Sequence, residues 1–265
     1  MKVFYDPRMS VDSGGYSPSG SKPAAVVADW MDLGIEVCGF EPASAADLCL
    51  AHSKKYVCNV LSGSAPNGHG NSIPEVTGAT QWTCGSMIAA ARQALIDGVA
   101  CSPSSGFHHA GYDSGGGFCT FNGLIVAIEK LRSEGLIERA AILDCDAHFG
   151  DGTDEIIHRL QLDSWIGHWT FGRDAVGARG YRHKQTMMAI ESFIRDCNDD
   201  GCNLMLYQAG ADAHLDDPLH AGVMTSEEMR ERDRLVFSLC RHCGIPVSWD
   251  LAGGYAREPD GSIPK

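Results

Sequence analysis

The sequence is short of positive charge and has no long apolar run. Lys and Arg number 21 against 34 Asp and Glu, which gives a formal net charge of −13. A surface of this sign repels phosphate backbones, so we expect no direct binding of nucleic acid. No stretch is apolar for long enough to span a membrane, and the first residues lack the apolar core of a signal peptide. The expectation is therefore a soluble cytoplasmic protein.

The cysteines do not form a recognisable disulfide framework. There are 11 of them, an odd number, and they are scattered through apolar segments such as Ile142 to Cys145. This pattern is typical of free thiols in a reducing compartment. Cys240 and Cys243 have CxxC spacing, but no second pair lies near them and structural zinc usually takes four ligands. We therefore interpret this pair as structural.

Short apolar strands alternate with amphipathic helices along the chain. The strands are predicted at Lys2 to Tyr5, Ala140 to Leu143, Leu204 to Tyr207 and Val247 to Leu251. Helices are predicted from Pro23 with Val26, Val27, Trp30 and Leu33 on one face, at Ser86 to Ile96, up to Gly135, and up to Gly244, with capping boxes at Ser44 and Thr225 and a long loop over 62–80. This order predicts an α/β fold: a single domain over residues 1–265, with an open parallel sheet flanked by helices on both faces.

Unusual polar residues follow the strand that ends near Leu143. Side chains two apart on a strand share a face, so Asp144, Asp146 and His148 are expected to project together. Carboxylates and an imidazole at the end of a buried strand are costly unless a divalent metal compensates them. The alternative is a polar strand end held together by hydrogen bonds alone.

Two further strands end in polar residues of the same kind. The strand at Leu204 leads to Asp212, and the strand at Val247 leads through Ala-Gly-Gly to Tyr255. Ligands of open parallel sheets bind at the carboxyl ends of the strands, so these residues are expected at one edge. Two carboxylates and one imidazole leave positions open for water and substrate, which indicates a catalytic metal. Zinc is the first choice, and iron(II) or cobalt would also suit this set.

A hydrolytic metal site also needs a group that transfers protons. His108 and His109 are adjacent and precede the run Gly115 to Gly117, which indicates a loop that lets backbone approach a ligand closely. A structural role for these histidines remains the alternative.

Four motifs together resemble those of the zinc-dependent histone deacetylase and acetylpolyamine amidohydrolase superfamily. They are GFHHAGYDSGGGFCTFNG, ILDCDAHFGDGTDEI, YQAGADAHLDDPL and LAGGY, in the family's order and near its spacing. Weaker similarity extends back to Pro42. The resemblance implies the arginase–deacetylase fold and an enzyme that hydrolyses acyl-amine bonds.

The resemblance also implies a role for each residue of the site. The zinc ligands would be Asp146, His148 and Asp212, and a structural potassium ion is expected near Asp144 and His148. His109 would be the general base and acid, oriented by Asp151, with His108 paired to Asp144. Tyr255 would donate a hydrogen bond to the scissile carbonyl. The Gly117 carbonyl would bind the substrate amide, and Phe118 would form one wall of a narrow tunnel.

The sequence departs from the family pattern at three places. Phe149 occupies a position that is often a second histidine, and the stretch after His168 lacks the usual aromatic-Pro-Gly signature, so Trp169 or Phe171 is the candidate for the opposing wall. The chain runs ten residues beyond Tyr255, whereas members usually continue into a further helix. The expectation is a more open cleft, or one that a second subunit of a homo-oligomer completes.

The substrate class is read from one position. Leu219 stands where polyamine-preferring relatives can carry a glutamate, which favours acyl-lysine or another small amide over an acetylpolyamine. His69, His214 and His220 are interpreted as loop or surface residues and Cys119 as a buried neighbour.

Two other functions remain open. One is a two-metal ureohydrolase of the arginase type, which would bind two manganese ions. The other is a non-catalytic protein that binds acylated amines.

Overall fold

A parallel sheet forms the centre of the protein. The computed structural model describes residues 1–15, 17–176, 181–219 and 222–263, and within them the sheet has seven strands in the order β2-β1-β3-β7-β6-β4-β5. The strands are β1 Lys2–Phe4, β2 Glu36–Cys38, β3 Val99–Cys101, β4 Ala140–Asp144, β5 Ile166–Thr170, β6 Met205–Gln208 and β7 Val247–Asp250. Every neighbouring pair runs parallel, so the predicted open parallel sheet is confirmed.

Helices cover both faces of the sheet. They are α1 Lys22–Trp30, α2 Ala45–Leu48, α3 Lys54–Leu61, α4 Pro74–Asp97, α5 Gly123–Ser133, α6 Asp151–Arg159, α7 His183–Asp199 and α8 Ser226–Cys243. Along β4, Ala140 and Ile142 pack in one hydrophobic cluster with α4 and α5, while Ala141 and Leu143 pack in a second cluster with α7 and α8. A strand buried on both faces needs apolar side chains throughout, which is why β4 reads as an unbroken apolar run.

The sequence signals at helix ends are confirmed. Ser44 and Asp47 form a capping box at α2, and Thr225 and Glu228 form another at α8. Helix α8 ends at Gly244, whose φ of 71° lies in the left-handed region that glycine adopts without strain. These two boxes satisfy backbone donors that each helix would otherwise leave without a partner.

Three parts of the secondary-structure prediction were wrong. The segment 62–80 is a loop only as far as Ile73, and helix α4 begins at Pro74. No side-chain cap marks the start of this helix, so the sequence carries no capping signal for it. The side chain of Leu33 lies in a 3₁₀ turn after α1 and is exposed, so it does not belong to the buried face. Strands β2, β3 and β5 were not predicted, since two of them have three residues and β5 contains Gly167 and His168.

The strand order brings three loops together. Strands β7, β6 and β4 are neighbours in the sheet, so the segments that follow Asp250, Gln208 and Asp144 meet at one edge. No helix in the described part of the chain is long and apolar enough to cross a membrane.

Candidate metal centre

Three side chains converge at the carboxyl edge of the sheet. Asp146 follows β4, His148 lies two residues further on, and Asp212 follows β6. Each offers one ligand atom, and these atoms all lie within 4.8 Å of one another. The Nδ1 atom of His148 is 2.9 Å from Asp212 Oδ2 and 3.0 Å from Asp146 Oδ1. Asp146 and Asp212 are buried, while His148 is partly exposed and faces the open side.

The surroundings of these residues fit a divalent cation. Burial and the carboxylate of Asp146 raise the pKa of Asp212 to about 7, so two buried acids here are costly unless a cation balances them. Gly253 lies against both acids: a Cβ atom at this residue would be 2.5 Å from Asp212 Oδ2 and 2.6 Å from Asp146 Oδ2. Two carboxylates and one imidazole are a ligand set that zinc accepts in catalytic sites.

The route by which these residues meet differs from the strand argument. Strand β4 ends at Asp144, and the following residues form a bend instead of alternating along the strand. Asp144 therefore does not join the cluster. Its carboxylate accepts hydrogen bonds from His108 Nδ1 (2.7 Å), Gln208 Nε2 (2.8 Å) and the backbone N–H of Asp146 (3.1 Å). Asp144 orients the segment that carries the ligands.

Two histidine–aspartate pairs flank the cluster. His108 Nδ1 is 2.7 Å from Asp144 Oδ2, and His109 Nδ1 is 2.7 Å from Asp151 Oδ1. Burial lowers the pKa of His108, but the charges of Asp144 and Asp146 outweigh this and raise it to about 10. The pKa of His109 is lowered, first by burial and then by the charge of His108. At neutral pH, His109 is therefore the imidazole that can accept a proton.

Tyr255 lies beside His148 and Phe118. Its ring centroid is 6.4 Å from that of His148 and 5.8 Å from that of Phe118. Burial, and then the charges of Asp146 and Asp212, raise the pKa of its phenol, which stays protonated as a hydrogen-bond donor. The turn before it is tied to the cluster, because the backbone N–H of Gly253 donates to Asp146 Oδ2 at 2.7 Å.

Gly117 and Phe118 form a tight turn beside His109. Both have positive φ angles, 52° and 66°, and a Cβ atom at Gly117 would collide with the His109 ring. A glycine is therefore required at this position. The turn places the Phe118 ring between those of His69 and Tyr255, with centroids 5.6 Å and 5.8 Å away.

Comparison with known proteins agrees with this geometry. A sequence profile described as the histone deacetylase domain matches residues 9–162. An uncharacterized protein of Picosynechococcus is 32% identical over 230 residues, covering 78% of this chain and 75% of the relative. The chain belongs to the histone deacetylase family. Members of this family are hydrolases of amide bonds, and they depend on a metal.

Two further similar proteins have names that state an activity. The acetylpolyamine amidohydrolase of Mycoplana ramosa is 40% identical over 192 residues, which cover 64% of this chain and 54% of that protein. The crystal structure of an acetylpolyamine aminohydrolase from Burkholderia pseudomallei superimposes with a TM-score of 0.73 over 96% of this chain and 94% of that one, at 19% identity. The second likeness confirms the deacetylase fold.

The wall opposite Phe118 was predicted wrongly. Trp169 and Phe171 are both buried and pack in the hydrophobic cluster of α7 and α8, so neither lines the opening of this deacetylase-family site. Trp169 lies in β5 and Phe171 directly follows its end at Thr170, and both rings pack into this cluster. Residues 177–180 of the same stretch lie outside the described residues, as does His220.

The remaining residues that the sequence placed near the site differ in burial and in their hydrogen bonds. Cys119 is buried, as expected, and His69 is partly buried against Phe118. His214 is partly exposed and bonds with Ser226. The backbone N–H of Leu219 donates to Asp217 Oδ1 at 3.0 Å.

Three buried polar residues of the site were not found from the sequence. Lys22 Nζ donates to the backbone oxygen of Ala252 at 2.7 Å. Asp250 Oδ1 accepts from the backbone N–H of Ala252 at 2.9 Å. Burial lowers the pKa of Lys22 to about 8, against the opposing charges of Asp212 and other acids. Asp217 accepts from the backbone of Tyr255. Lys22 and Ala252 are 230 residues apart in sequence, so no local pattern links them.

Proposed function

We propose that this chain is a zinc-dependent amidohydrolase that removes acetyl or related acyl groups from amines such as acetyl-lysine. The observation that carries the proposal is the convergence of Asp146, His148 and Asp212, whose potential ligand atoms all lie within 4.8 Å of one another. A neutral histidine, His109, and a protonated tyrosine, Tyr255, accompany this cluster. Amide hydrolysis needs these three parts: an electrophilic metal, a proton carrier and an oxyanion donor.

Each of the surrounding residues has a distinct task in this proposal. A bound zinc ion would polarise the scissile carbonyl and acidify a water molecule. His109 accepts a proton from the attacking water and returns it to the leaving amine. Asp151, bonded to Nδ1, fixes the ring so that Nε2 performs the transfer. His108 stays protonated beside Asp144 and adds positive charge near the developing oxyanion.

Tyr255 and the Gly117–Phe118 turn complete the substrate contacts. The phenol O–H of Tyr255 donates to the carbonyl oxygen, and this bond strengthens as negative charge develops on that atom. The carbonyl of Gly117 accepts from the substrate amide, and the Phe118 ring packs against the alkyl chain of the amine. The Phe118 and Tyr255 rings lie next to each other, with centroids 5.8 Å apart. Together they would form one side of the opening through which the substrate enters.

Acyl-lysine or another small acyl amine is the proposed substrate, and an acetylpolyamine is the alternative. Leu219 offers no carboxylate for a second ammonium group, which favours the first. The family includes an acetylpolyamine amidohydrolase that is 40% identical over its matched part, and the net charge of −13 would attract a polycation, which favours the second. The potassium ion expected near Asp144 stays a prediction, as does the homo-oligomer.

The arginase-type alternative has less support. A second metal would need further carboxylates, but the next acid along the chain after His148, Asp151, has a side chain that is 63% exposed and bonds with His109. In the described ranges, one cluster of potential metal ligands is found, and it contains three side chains. Metal analysis that returned two tightly bound manganese ions per chain would contradict the deacylase proposal.

The test is turnover of a substrate panel by zinc-loaded protein and its Tyr255→Phe variant. The panel contains acetyl-lysine peptides, acetylputrescine, acetylspermidine and small N-acetyl amines. Loss of one oxyanion donor costs about 10²–10³ in kcat, so the variant should keep its metal and lose most turnover. Tyr5→Phe is the matched control, since Tyr5 packs by α1, away from the cluster.

The outcomes separate the candidate functions. Activity on acetyl-lysine peptides that falls in Tyr255→Phe alone supports the proposed enzyme, and activity confined to acetylpolyamines selects the alternative substrate. A protein that binds the panel without turnover, with metal present, is a binding protein and not a deacylase.

A further inference from the structure

Asp217 is a buried acid that links the backbone of Tyr255 to the backbone of Leu219. Its side chain is 4% exposed, and it follows the ligand Asp212 by five residues. Oδ2 accepts from the backbone N–H of Tyr255 at 2.7 Å, and Oδ1 accepts from the backbone N–H of Leu219 at 3.0 Å. Neither bond belongs to a helix or a strand, so each restrains a loop that has no regular structure to hold it.

Separate contacts hold Ala252 and Gly253, which precede Tyr255 in its loop. Ala252 has a φ of 48°, a strained value for a residue with a Cβ, and is fixed by Asp250 and Lys22. Gly253 donates to Asp146. These contacts hold the turn before Tyr255.

Asp217 holds the backbone of Tyr255 itself, whose ring contacts Phe118 and His148. The residues that follow, 257–262, are exposed. Apart from the bond to Asp217, the exposed segment after Tyr255 therefore offers little packing that would hold the backbone of this tyrosine in place.

An acid suits this position better than its amide. A carboxylate offers two acceptor oxygens, and Asp217 uses one for each backbone N–H. In asparagine one of these oxygens becomes an NH₂ group, which would face a backbone donor. One of the two bonds must then be lost, and a buried donor is left without a partner. Asp217→Asn therefore changes two contacts while it preserves the shape of the side chain.

We infer that Asp217 is a positioning residue for the reaction: it holds the backbone of Tyr255 so that the phenol lies beside His148, and it fixes the backbone of Leu219 with its other oxygen. The inference rests on the proposed function, since Tyr255 acts there as the oxyanion donor. Asp217 acts through the backbone of Tyr255 and has no contact with the reacting atoms in this scheme. A residue that couples the oxyanion donor to the substrate rim would tie turnover to substrate choice.

The experiment compares Asp217→Asn with Asp216→Asn, the same change one residue earlier. The side chain of Asp216 is 89% exposed, so its variant controls for charge and local sequence. A displacement near 1 Å costs about 10²-fold in rate, so Asp217→Asn should lower kcat by about 10- to 100-fold with KM little changed. Asp216→Asn should match the wild type. Metal content and melting temperature are measured on both.

A double-mutant cycle separates positioning from general damage. If Asp217 acts through Tyr255, then Asp217→Asn costs no further activity once Tyr255→Phe is present. A loss of the same size in both backgrounds would show that Asp217 supports the fold and not the tyrosine, and would overturn the inference. So would full kcat in the single variant.

Failure of the proposed function has a different signature. If the wild type turns over nothing in the panel, the same four proteins are titrated calorimetrically with a hydroxamate, which chelates zinc and presents a carbonyl oxygen. Tyr255→Phe should then weaken binding, Asp217→Asn should weaken it by no more than that, and the double variant should bind no more weakly than Tyr255→Phe. Equal affinity of wild type and Asp217→Asn, or no binding by any of the four, would overturn the inference.

Discussion

Two histidine–aspartate pairs lie side by side at the metal centre, with ring centroids 4.1 Å apart and the same 2.7 Å contact between Nδ1 and a carboxylate. They differ in burial. The side chains of His108 and Asp144 are 3% and 0% exposed, whereas those of His109 and Asp151 are 23% and 63% exposed. Identical local geometry therefore occurs in two different electrostatic environments.

The environment decides which histidine carries the charge. Asp144 is desolvated, so it holds His108 protonated, while the partner of His109 is screened by water. The protonated His108 then lowers the pKa of its neighbour. In the proposed reaction, the buried pair provides a fixed positive charge and the exposed pair provides a proton carrier, although the residue types and the distances are the same.

His109→Ala should show the largest effect on turnover. Removal of a general base and acid costs about 10²–10⁴ in rate, so kcat should fall by that factor while metal content and melting temperature change little. The measurement is kcat on the best substrate of the panel, with zinc stoichiometry. Turnover that survives at the wild-type rate would show that His109 is not the proton carrier, and the contrast between the pairs would fail.

Asp144→Asn should show the largest effect on stability. Breaking a buried ion pair from one side leaves an uncompensated charge and costs about 3–5 kcal/mol in the free energy of unfolding. The matched change in the exposed pair, Asp151→Asn, should cost about 1 kcal/mol or less. Urea unfolding of both variants checks this. Equal losses would mean that burial does not distinguish the pairs.

Asp151→Asn should move the acid limb of the pH–rate profile. The hydrogen bond and charge of Asp151 raise the pKa of His109 against burial and the charge of His108. Without them the pKa falls further, so the deprotonated base persists to lower pH. The acid limb of kcat/KM should therefore shift to lower pH. A shift to higher pH, or none, would show that the limb belongs to another group.

The sequence predicted those parts of the site that local patterns carry. Asp146, His148 and Asp212 follow apolar strands, and parallel strands place their carboxyl ends together, so the cluster of ligands was predicted. The strand period was applied too far, since β4 ends at Asp144. A bend has no repeating pattern of side chains in the sequence, so the residue at which it begins could not be predicted.

The remainder of the site depends on contacts between distant segments. Lys22 reaches the turn before Tyr255 across 230 residues, and Asp217 reaches Tyr255 across 38. In the sequence, a lysine beside a proline or an aspartate before one reads as surface or turn. Only packing reveals that both are buried. Trp169 and Phe171 failed for the opposite reason, because aromatic side chains suit either a core or a binding wall.

The strand order has a consequence for synthesis of the protein on the ribosome. Strand β7 is made after the other six strands of the described sheet, yet it lies between β3 and β6. Until β7 is inserted, the sheet therefore consists of two parts, β2-β1-β3 and β6-β4-β5. A nascent chain that ends before Val247 has two edges where the finished protein has its centre, and unpaired edges favour aggregation. Because Gly253 and Tyr255 follow the same strand, a chain at that stage also lacks the turn that contacts Asp146 and carries Tyr255. Insertion of β7 therefore closes the sheet and brings Tyr255 to His148 in the same step.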